Sequence, residues 1–192
     1  DPNALSYADV GAGSGYFVSA LRATGLTDSR GFEVSETQAS LANEMAGEAV
    51  VRTHALGDTV SLAGEVDAKV VSLIGVLEHL QQPRELLAAL KDNEAVSYLY
   101  ISVPLFSPSV FIEAAFQDVM QRHLSGGHTH LYSESSLDWT CREFGMNRVA
   151  EWWFGGGVCL LYTTYAADDM PGLVTAGTGT TKHKTTSRCR HQ

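Results

Sequence analysis

The chain has 192 residues, of which 44% are hydrophobic and 18% charged, a composition typical of one globular domain. Its formal net charge of -9 excludes broad electrostatic attraction to nucleic acids or anionic membranes, because phosphate binding relies on clustered Lys and Arg. No apolar run approaches the roughly 20 residues of a membrane span and no basic start leads into an apolar segment, so we expect a cytoplasmic protein without nucleic-acid or membrane partners.

Strand and helix patterns alternate along the chain, which predicts a mainly parallel sheet with helices on both faces. The predicted strands lie at 6–10, 30–34, 49–54, 68–74 and 97–103. The predicted helices lie at 15–24, 36–46, 83–91, 109–122 and 134–144. Two further apolar segments, 148–154 and 158–165, are separated by three glycines and predict a closing hairpin.

The first predicted strand ends in a glycine turn, residues 11–15, and a helix follows. Glycines at alternate positions let the backbone approach a ligand and adopt positive φ, and the helix start offers unpaired N–H groups. A dinucleotide-binding turn would have a third glycine at the position of Tyr16. The turn therefore predicts a cofactor cradle of another kind, although a tight turn without a ligand also fits.

The second predicted strand ends in a carboxylate, Glu33. An acid at the tip of this strand can accept hydrogen bonds from both hydroxyls of a ribose, whichever nucleoside cofactor carries it. A solvated charge at a strand end is the alternative. Together with the glycine turn, Glu33 predicts a nucleoside ligand.

Four features in order resemble the class I S-adenosylmethionine-dependent methyltransferases, over residues 6–165. Asp9-x-Gly11-x-Gly13-x-Gly15 resembles motif I of that family, and the acid of Glu33 follows at the expected place. The segment 76–80, Val-Leu-Glu-His-Leu, with Pro83 after it resembles the fourth strand and following helix of the small-molecule methyltransferases. A fifth strand then ends in a proline.

This resemblance implies a Rossmann-like, doubly wound α/β fold. The sheet is expected to be mainly parallel and seven-stranded, with an antiparallel C-terminal strand and helices on both faces. We expect a methyltransferase domain over 1–168 that lacks the family's helical N-terminal cap. The stretch 169–192, rich in Thr and Gly without apolar periodicity, is expected to be a disordered tail.

The resemblance also implies S-adenosylmethionine as the cofactor and assigns residues to it. In this family the acid and the glycine turn hold the amino acid end of the cofactor, and the second acid binds the ribose. Asp58 resembles the family's contact to the adenine amino group, and an Asp after Gly is equally a common turn element. Strand ends by the crevice complete the predicted set: Asp9, Gly11, Ala12, Gly13, Gly15, Glu33, Val34, Asp58, Ile74 and Gly75.

Methyl transfer to a hydroxyl or an ammonium needs a general base. The candidates are Glu78, His79, His123, His128 and His130. We predict His128 and His130 as catalytic, because they lie in a Gly-Gly-His-Thr-His connection beyond the fifth strand and histidine titrates near neutrality. His128 is preferred, since His130 points the other way if the stretch is extended. Loop or capping histidines are the alternative.

The acceptor is predicted to be a small molecule, with a hydroxyl of a sugar, polyketide or quinone-like compound favoured. The motifs of enzymes that methylate nucleobases, Asp/Asn-Pro-Pro-Tyr and Pro-Cys, are absent after the fourth strand. Glu78-His79 resembles half of the Glu-x-x-Glu-His motif of small-RNA 2′-O-methyltransferases and ubiquinone-pathway O-methyltransferases. The first glutamate of that motif is Gly75 here, so we expect no bound metal.

Two other functions remain open from the sequence. One is a regulatory protein that binds S-adenosylmethionine without turnover. The other is an NAD-dependent oxidoreductase. Tyr16 argues against it, because a dinucleotide-binding turn would have a glycine at this position. The oligomeric state is not indicated.

Overall fold

The computed structural model describes residues 5–116, 127–154 and 157–164. The predicted tail at 169–192, the end of the predicted helix at 109–122 and the candidate base His123 lie outside these residues. Within them, no helix has the length and apolar content needed to cross a membrane.

Seven strands form one sheet in the order β3-β2-β1-β4-β5-β7-β6. They are β1 (Tyr7–Val10), β2 (Ser29–Glu33), β3 (Val51–Thr53), β4 (Val70–Ile74), β5 (Tyr98–Pro104), β6 (Asn147–Phe154) and β7 (Gly157–Thr163). β7 is antiparallel to both of its neighbours, and the pairings from β3 to β5 are parallel. The predicted doubly wound sheet with an antiparallel C-terminal strand is confirmed.

Six α-helices and two short 3-10 helices, Leu56–Asp58 and Leu77–His79, connect the strands within the described residues. The α-helices are α1 (Tyr16–Ala23), α2 (Glu36–Ala46), α3 (Thr59–Glu65), α4 (Pro83–Asp92), α5 (Ser109–Ala115) and α6 (Glu134–Glu143). α3 was not predicted, because it is short and has Gly64 near its end, which weakens the helical signal. α6 begins as predicted, since the hydroxyls of Ser133 and Ser136 each accept a hydrogen bond from the other residue's backbone N–H.

The core lies where α4 packs on the centre of the sheet. Leu73 of β4 and Leu99 of β5 are fully buried, as are Leu86 and Leu90 one helical turn apart on α4. The periodic apolar face of α4 therefore meets the central strands. Successive side chains of β4 are buried on both faces of the sheet, whereas those of β5 alternate between buried and half-buried. This packing makes the strand ends a rigid frame for the loops that follow them.

The parallel register aligns three loop starts at one edge of the sheet. Val10 of β1 pairs with Phe32 of β2 on one side and with Leu73 of β4 on the other. The next residue in each strand or loop is Gly11, Glu33 or Ile74, so these three lie at the same level. The chain leaves β1 toward β2 and reaches β4 on the opposite side, which makes this the switch point where open α/β sheets bind ligands.

Candidate cofactor and acceptor site

The glycine turn after β1 runs too close to its neighbours for other residues. Gly11, Gly13 and Gly15 have φ angles of 78°, 53° and 72°. A Cβ on Gly11 would lie 2.5 Å from Cγ2 of Val76, and one on Gly15 would lie 2.7 Å from the Cβ of Ala42. A Cβ on Gly13 would meet nothing within 4 Å. The turn is therefore pressed against the protein at both ends and open at its middle glycine, which fits a cradle for a ligand.

Glu33 ties the turn to the end of β2. Its Oε2 accepts a hydrogen bond of 2.7 Å from the N–H of Gly13, and its Oε1 accepts one of 2.9 Å from the N–H of Ser35. Each carboxylate oxygen keeps a further lone pair for a hydroxyl donor. The N–H of Gly13 is thereby occupied by an anion of the protein, so it is not available to the pyrophosphate of a dinucleotide.

Asp9 lies beneath the turn and is only 4% exposed. Its Oδ1 accepts a hydrogen bond of 2.6 Å from the hydroxyl of Ser72, the residue opposite it on β4. Burial raises the pKa of Asp9 to about 6; the Ser72 hydrogen bond opposes this rise and the charge of Glu33 adds to it. Sequence reasoning missed Ser72, because only the register of β1 against β4 makes it a partner.

The other predicted cofactor residues lie around the same edge. Val34 and Ile74 are 46% and 36% exposed, and Gly75 follows with a φ of 66° and an N–H bonded to Ser102 O. The N–H of Ala12 donates to Phe32 O. Asp58 is exposed and lies beyond the end of β3. Its predicted contact with adenine stays a prediction.

The segment 127–132 is fixed against the residues that follow β4. The N–H of Thr129 donates to Glu78 O at 2.7 Å, and its hydroxyl donates to Leu80 O at 2.8 Å. The N–H of His130 also donates to Glu78 O, at 3.1 Å. These bonds to main-chain oxygens bring the Gly-His-Thr-His connection next to the Leu-Glu-His-Leu segment. Thr129 is a positioning residue that the sequence did not indicate.

The two predicted catalytic histidines face different surroundings. The rings of His128 and His79 lie edge to face with centroids 4.7 Å apart, next to the buried Glu78. His130 lines a groove between α4 and α6, with Trp139 and Arg84 on the walls. The structure thus brings His128 together with two other candidate bases, and places His130 apart from them.

An open doubly wound sheet with a glycine turn and an acid at its switch point defines a nucleoside-binding α/β protein. A family model described as a methyltransferase domain matches residues 2–151, which is most of the chain. The protein belongs to this methyltransferase family. It is an enzyme, and its family implies S-adenosylmethionine as the methyl donor.

Solved structures share the fold at low sequence identity. An S-adenosylmethionine-dependent methyltransferase from Archaeoglobus fulgidus has a TM-score of 0.66 and 14% identity, over 84% of this chain and 87% of that chain. An O-methyltransferase family protein from Burkholderia thailandensis has a TM-score of 0.62 and 17% identity, over 83% of this chain and 50% of that one. A possible histamine N-methyltransferase from Thermotoga maritima has a TM-score of 0.60 and 14% identity, over 84% of this chain and 82% of that chain. A search of curated proteins found no match.

Family membership decides between the functions that the sequence left open. A methyltransferase domain over most of the chain argues against both a binding protein without turnover and an NAD-dependent oxidoreductase. The occupied N–H of Gly13 is a structural reason against the second, since the pyrophosphate of NAD needs free donors at this turn. The turn that is open at Gly13 and the acid beside it fit S-adenosylmethionine, whose ribose lacks a pyrophosphate.

Replacing Gly13 by alanine tests the cradle. The positive φ of residue 13 should cost about 1–2 kcal/mol of stability, and the new methyl should enter the open face of the turn. We expect affinity for S-adenosylmethionine to fall at least about tenfold, or about 1.4 kcal/mol, in calorimetric titration. Gly47→Ala is the matched control: it has a φ of 69° and open space, at the end of α2, so it should lose similar stability and keep affinity. Equal affinity of the two variants would contradict a cofactor at Gly13.

Removing the Glu33 carboxylate should weaken cofactor binding. Glu33→Ala loses charge-assisted hydrogen bonds to ligand hydroxyls, so affinity for S-adenosylmethionine and S-adenosylhomocysteine should fall by about 1.5–3 kcal/mol. Titration calorimetry measures this directly. Glu36→Ala removes an exposed carboxylate in the first turn of α2 and should leave affinity unchanged. An unaltered affinity in Glu33→Ala would remove this residue from the site.

The stability of Asp9→Asn should depend on pH in a defined direction. The pKa of Asp9 is raised from 3.8 to about 6 in the folded protein, so its ionisation opposes folding. The cost is absent below pH 3.8, grows as the pH rises toward 6 and is constant above, at most about 3 kcal/mol. Asn lacks this cost. Urea denaturation from pH 4 to 8 measures the difference in stability between Asp9→Asn and the parent. This difference should grow in favour of the variant up to about pH 6 and stay constant above it. A difference that does not change with pH would contradict the raised pKa of Asp9.

Proposed function

We propose that the enzyme methylates a hydroxyl group of a small molecule and that His128 accepts the hydroxyl proton. The observation that carries this proposal is the position of His128. Bonds from Thr129 hold its segment against the loop after β4, which begins at the predicted cofactor residues Ile74 and Gly75. A Cβ on Gly75 would lie 3.7 Å from Oε1 of Glu78, so the Glu78 side chain borders the crevice. His128, the proposed base, lies next to that side chain.

The cofactor residues define one side of the reaction. Glu33 and Val34 are proposed to hold the ribose end, Asp9 and the glycine turn the amino acid end, and Asp58 the adenine. S-adenosylmethionine supplies a methyl group that its sulfonium has already activated for displacement. The protein therefore has to hold the acceptor oxygen in line with that methyl group and keep water out.

The base defines the other side. A neutral hydroxyl is a poor nucleophile until its proton leaves, and an imidazole near neutral pKa suits that step. His128 is half-buried beside the ring of His79 and the carboxylate of Glu78. The likeness to an O-methyltransferase family protein supports a hydroxyl acceptor.

The acidic character of the protein supports an acceptor without phosphate groups. The formal net charge is -9, and three buried carboxylates, Asp9, Glu33 and Glu78, lie at the sheet edge where the acceptor would bind. A neutral sugar, polyketide or quinol meets less repulsion there than a phosphorylated acceptor does.

His128→Ala should separate catalysis from cofactor binding. Loss of a general base slows a reaction by about 10²–10⁴-fold, and S-adenosylmethionine affinity should remain unchanged. The assay measures transfer of a labelled methyl group to a panel of sugars, polyketides and quinols, with histamine as an amine comparison. His130→Ala tests the second predicted base: its ring lines the groove between α4 and α6, so we expect this variant to keep the parent rate. A full rate in His128→Ala with an accepted hydroxyl substrate would refute the role of His128, and transfer only to the amine would refute the hydroxyl acceptor.

A further inference from the structure

Three possible metal ligands converge beside the crevice. Glu78, His79 and His128 each offer a ligand atom, and these atoms all lie within 4.8 Å of one another. Ligands of one ion lie roughly 3–4 Å apart when each bond is about 2.1 Å long. A small rotation of the side chains therefore closes the set around an ion, and His79 is exposed and has room to rotate.

The carboxylate of Glu78 is a second, independent sign of a ligand. Glu78 is 3% exposed, and its Oε2 has no hydrogen-bond partner among the residues that the structure describes. A buried carboxylate oxygen without a donor carries a large desolvation cost unless a cation or a donor reaches it. The ligand atoms of His79 and His128 lie within 4.8 Å of a carboxylate oxygen of Glu78.

We propose that Glu78, His79 and His128 bind a divalent transition-metal ion of the zinc, manganese, iron or cobalt type. Two imidazole nitrogens and one carboxylate form a donor set that these ions prefer, whereas magnesium and calcium select oxygen ligands. Three protein ligands are also the number found in catalytic sites, which keep one or more positions for water or substrate.

The backbone around the cluster is arranged to orient these ligands. Nδ1 of His79 lies 3.4 Å from Gly127 O, so a proton on Nδ1 points to that carbonyl and Nε2 is left as the ligand atom. The bonds from Thr129 to Glu78 O and Leu80 O hold the residue before it, His128, against the other two ligands. Metal-binding histidines are commonly fixed in this way through their second nitrogen.

The proposal departs from the expectation from the sequence that no metal is bound. That expectation rested on Gly75, which stands where a related motif has a further glutamate. In the fold, His128 arrives from a distant part of the chain and supplies the third ligand instead. The site is thus one carboxylate and two imidazoles, a set that no single stretch of the sequence contains.

A bound ion would alter how a hydroxyl acceptor is activated. It would lower the pKa of an acceptor hydroxyl bound to it, so that the proton could pass to solvent water. With the ion bound His128 would be a ligand, and it would accept the proton itself only in the enzyme without the ion. The metal site itself does not depend on the proposed acceptor. Its test therefore needs neither an acceptor nor turnover.

The experiment is a metal titration of the full chain after treatment with a chelator and dialysis. Zn²⁺, Mn²⁺, Co²⁺ and Mg²⁺ are titrated by calorimetry, and the Co²⁺ complex is followed by its visible absorption, which reports the ligand geometry. We expect at least one of the three transition ions to bind with a stoichiometry of one at the cluster, and Mg²⁺ to bind at least about tenfold more weakly.

Variants locate the ion. His79→Ala removes an exposed ligand, so the fold should be unaffected while the affinity for the ion falls at least tenfold; His128→Ala should do the same. Glu78→Gln tests the carboxylate, with His79→Ala as the safeguard if the buried substitution prevents folding. His130→Ala is the matched control: it removes an imidazole from the same segment that is not one of the three proposed ligands. This variant should bind the ion as the parent does. His123, His183 and His191 also offer imidazole, so the comparison of variants decides the location.

S-adenosylmethionine titration of the same samples separates this proposal from the proposed function. Cofactor binding that persists in His79→Ala while ion binding is lost supports the metal site. Failure of the parent to bind any of the three transition ions, preference for Mg²⁺, or equal affinity in His79→Ala, His128→Ala and His130→Ala would overturn it, whatever the cofactor result.

Discussion

The site depends on one steric constraint, the space available to the turn at the end of β1. The chain has to reverse there between β2 and β4 and start α1 at once. The distances of 2.5 Å and 2.7 Å that a Cβ on Gly11 or Gly15 would have show that no larger residue fits. This close approach sets the direction of α1, brings the N–H of Gly13 to Glu33 and leaves the open face of the turn toward the crevice. The backbone that sets the local fold is therefore also the one proposed to hold the cofactor.

The buried carboxylates at this edge give the site its charge. Asp9, Glu33 and Glu78 are each less than a tenth exposed. Asp9 is the residue before the end of β1, Glu33 is the last residue of β2, and Glu78 lies in the loop after β4. Buried carboxylates at one edge favour a cation near them. A sulfonium cofactor carries a positive charge on the reacting sulfur, whereas a pyrophosphate carries negative ones. The choice of cofactor is thus electrostatic as well as steric.

Much of the fold and the cofactor side of the site follow from local sequence patterns. The strands from β1 to β5, the glycine turn and the acid at the tip of β2 lie within short segments, where residue spacing carries the signal. Partners that depend on pairing between strands cannot be predicted from local patterns. Ser72 meets Asp9 only because of the register of β1 against β4. The third ligand of the cluster, His128, is brought to His79 by hydrogen bonds from Thr129 to backbone oxygens, and backbone acceptors leave no trace in the sequence. α3 was missed because a short helix with a glycine has little periodic signal.

The bonds that hold the segment 127–132 have a consequence for how this enzyme diversifies. The N–H and hydroxyl of Thr129 donate to main-chain oxygens of Glu78 and Leu80, so these acceptors are present whatever side chains stand at 79 and 128. The ring of His130 is a further contact, since its Nδ1 lies 2.9 Å from the Thr129 hydroxyl oxygen. Position 128 can therefore exchange residues while the bonds from Thr129 to the main-chain oxygens persist. If His128 faces the acceptor as proposed, laboratory selection at this position can alter the acceptor chemistry without rebuilding the glycine turn.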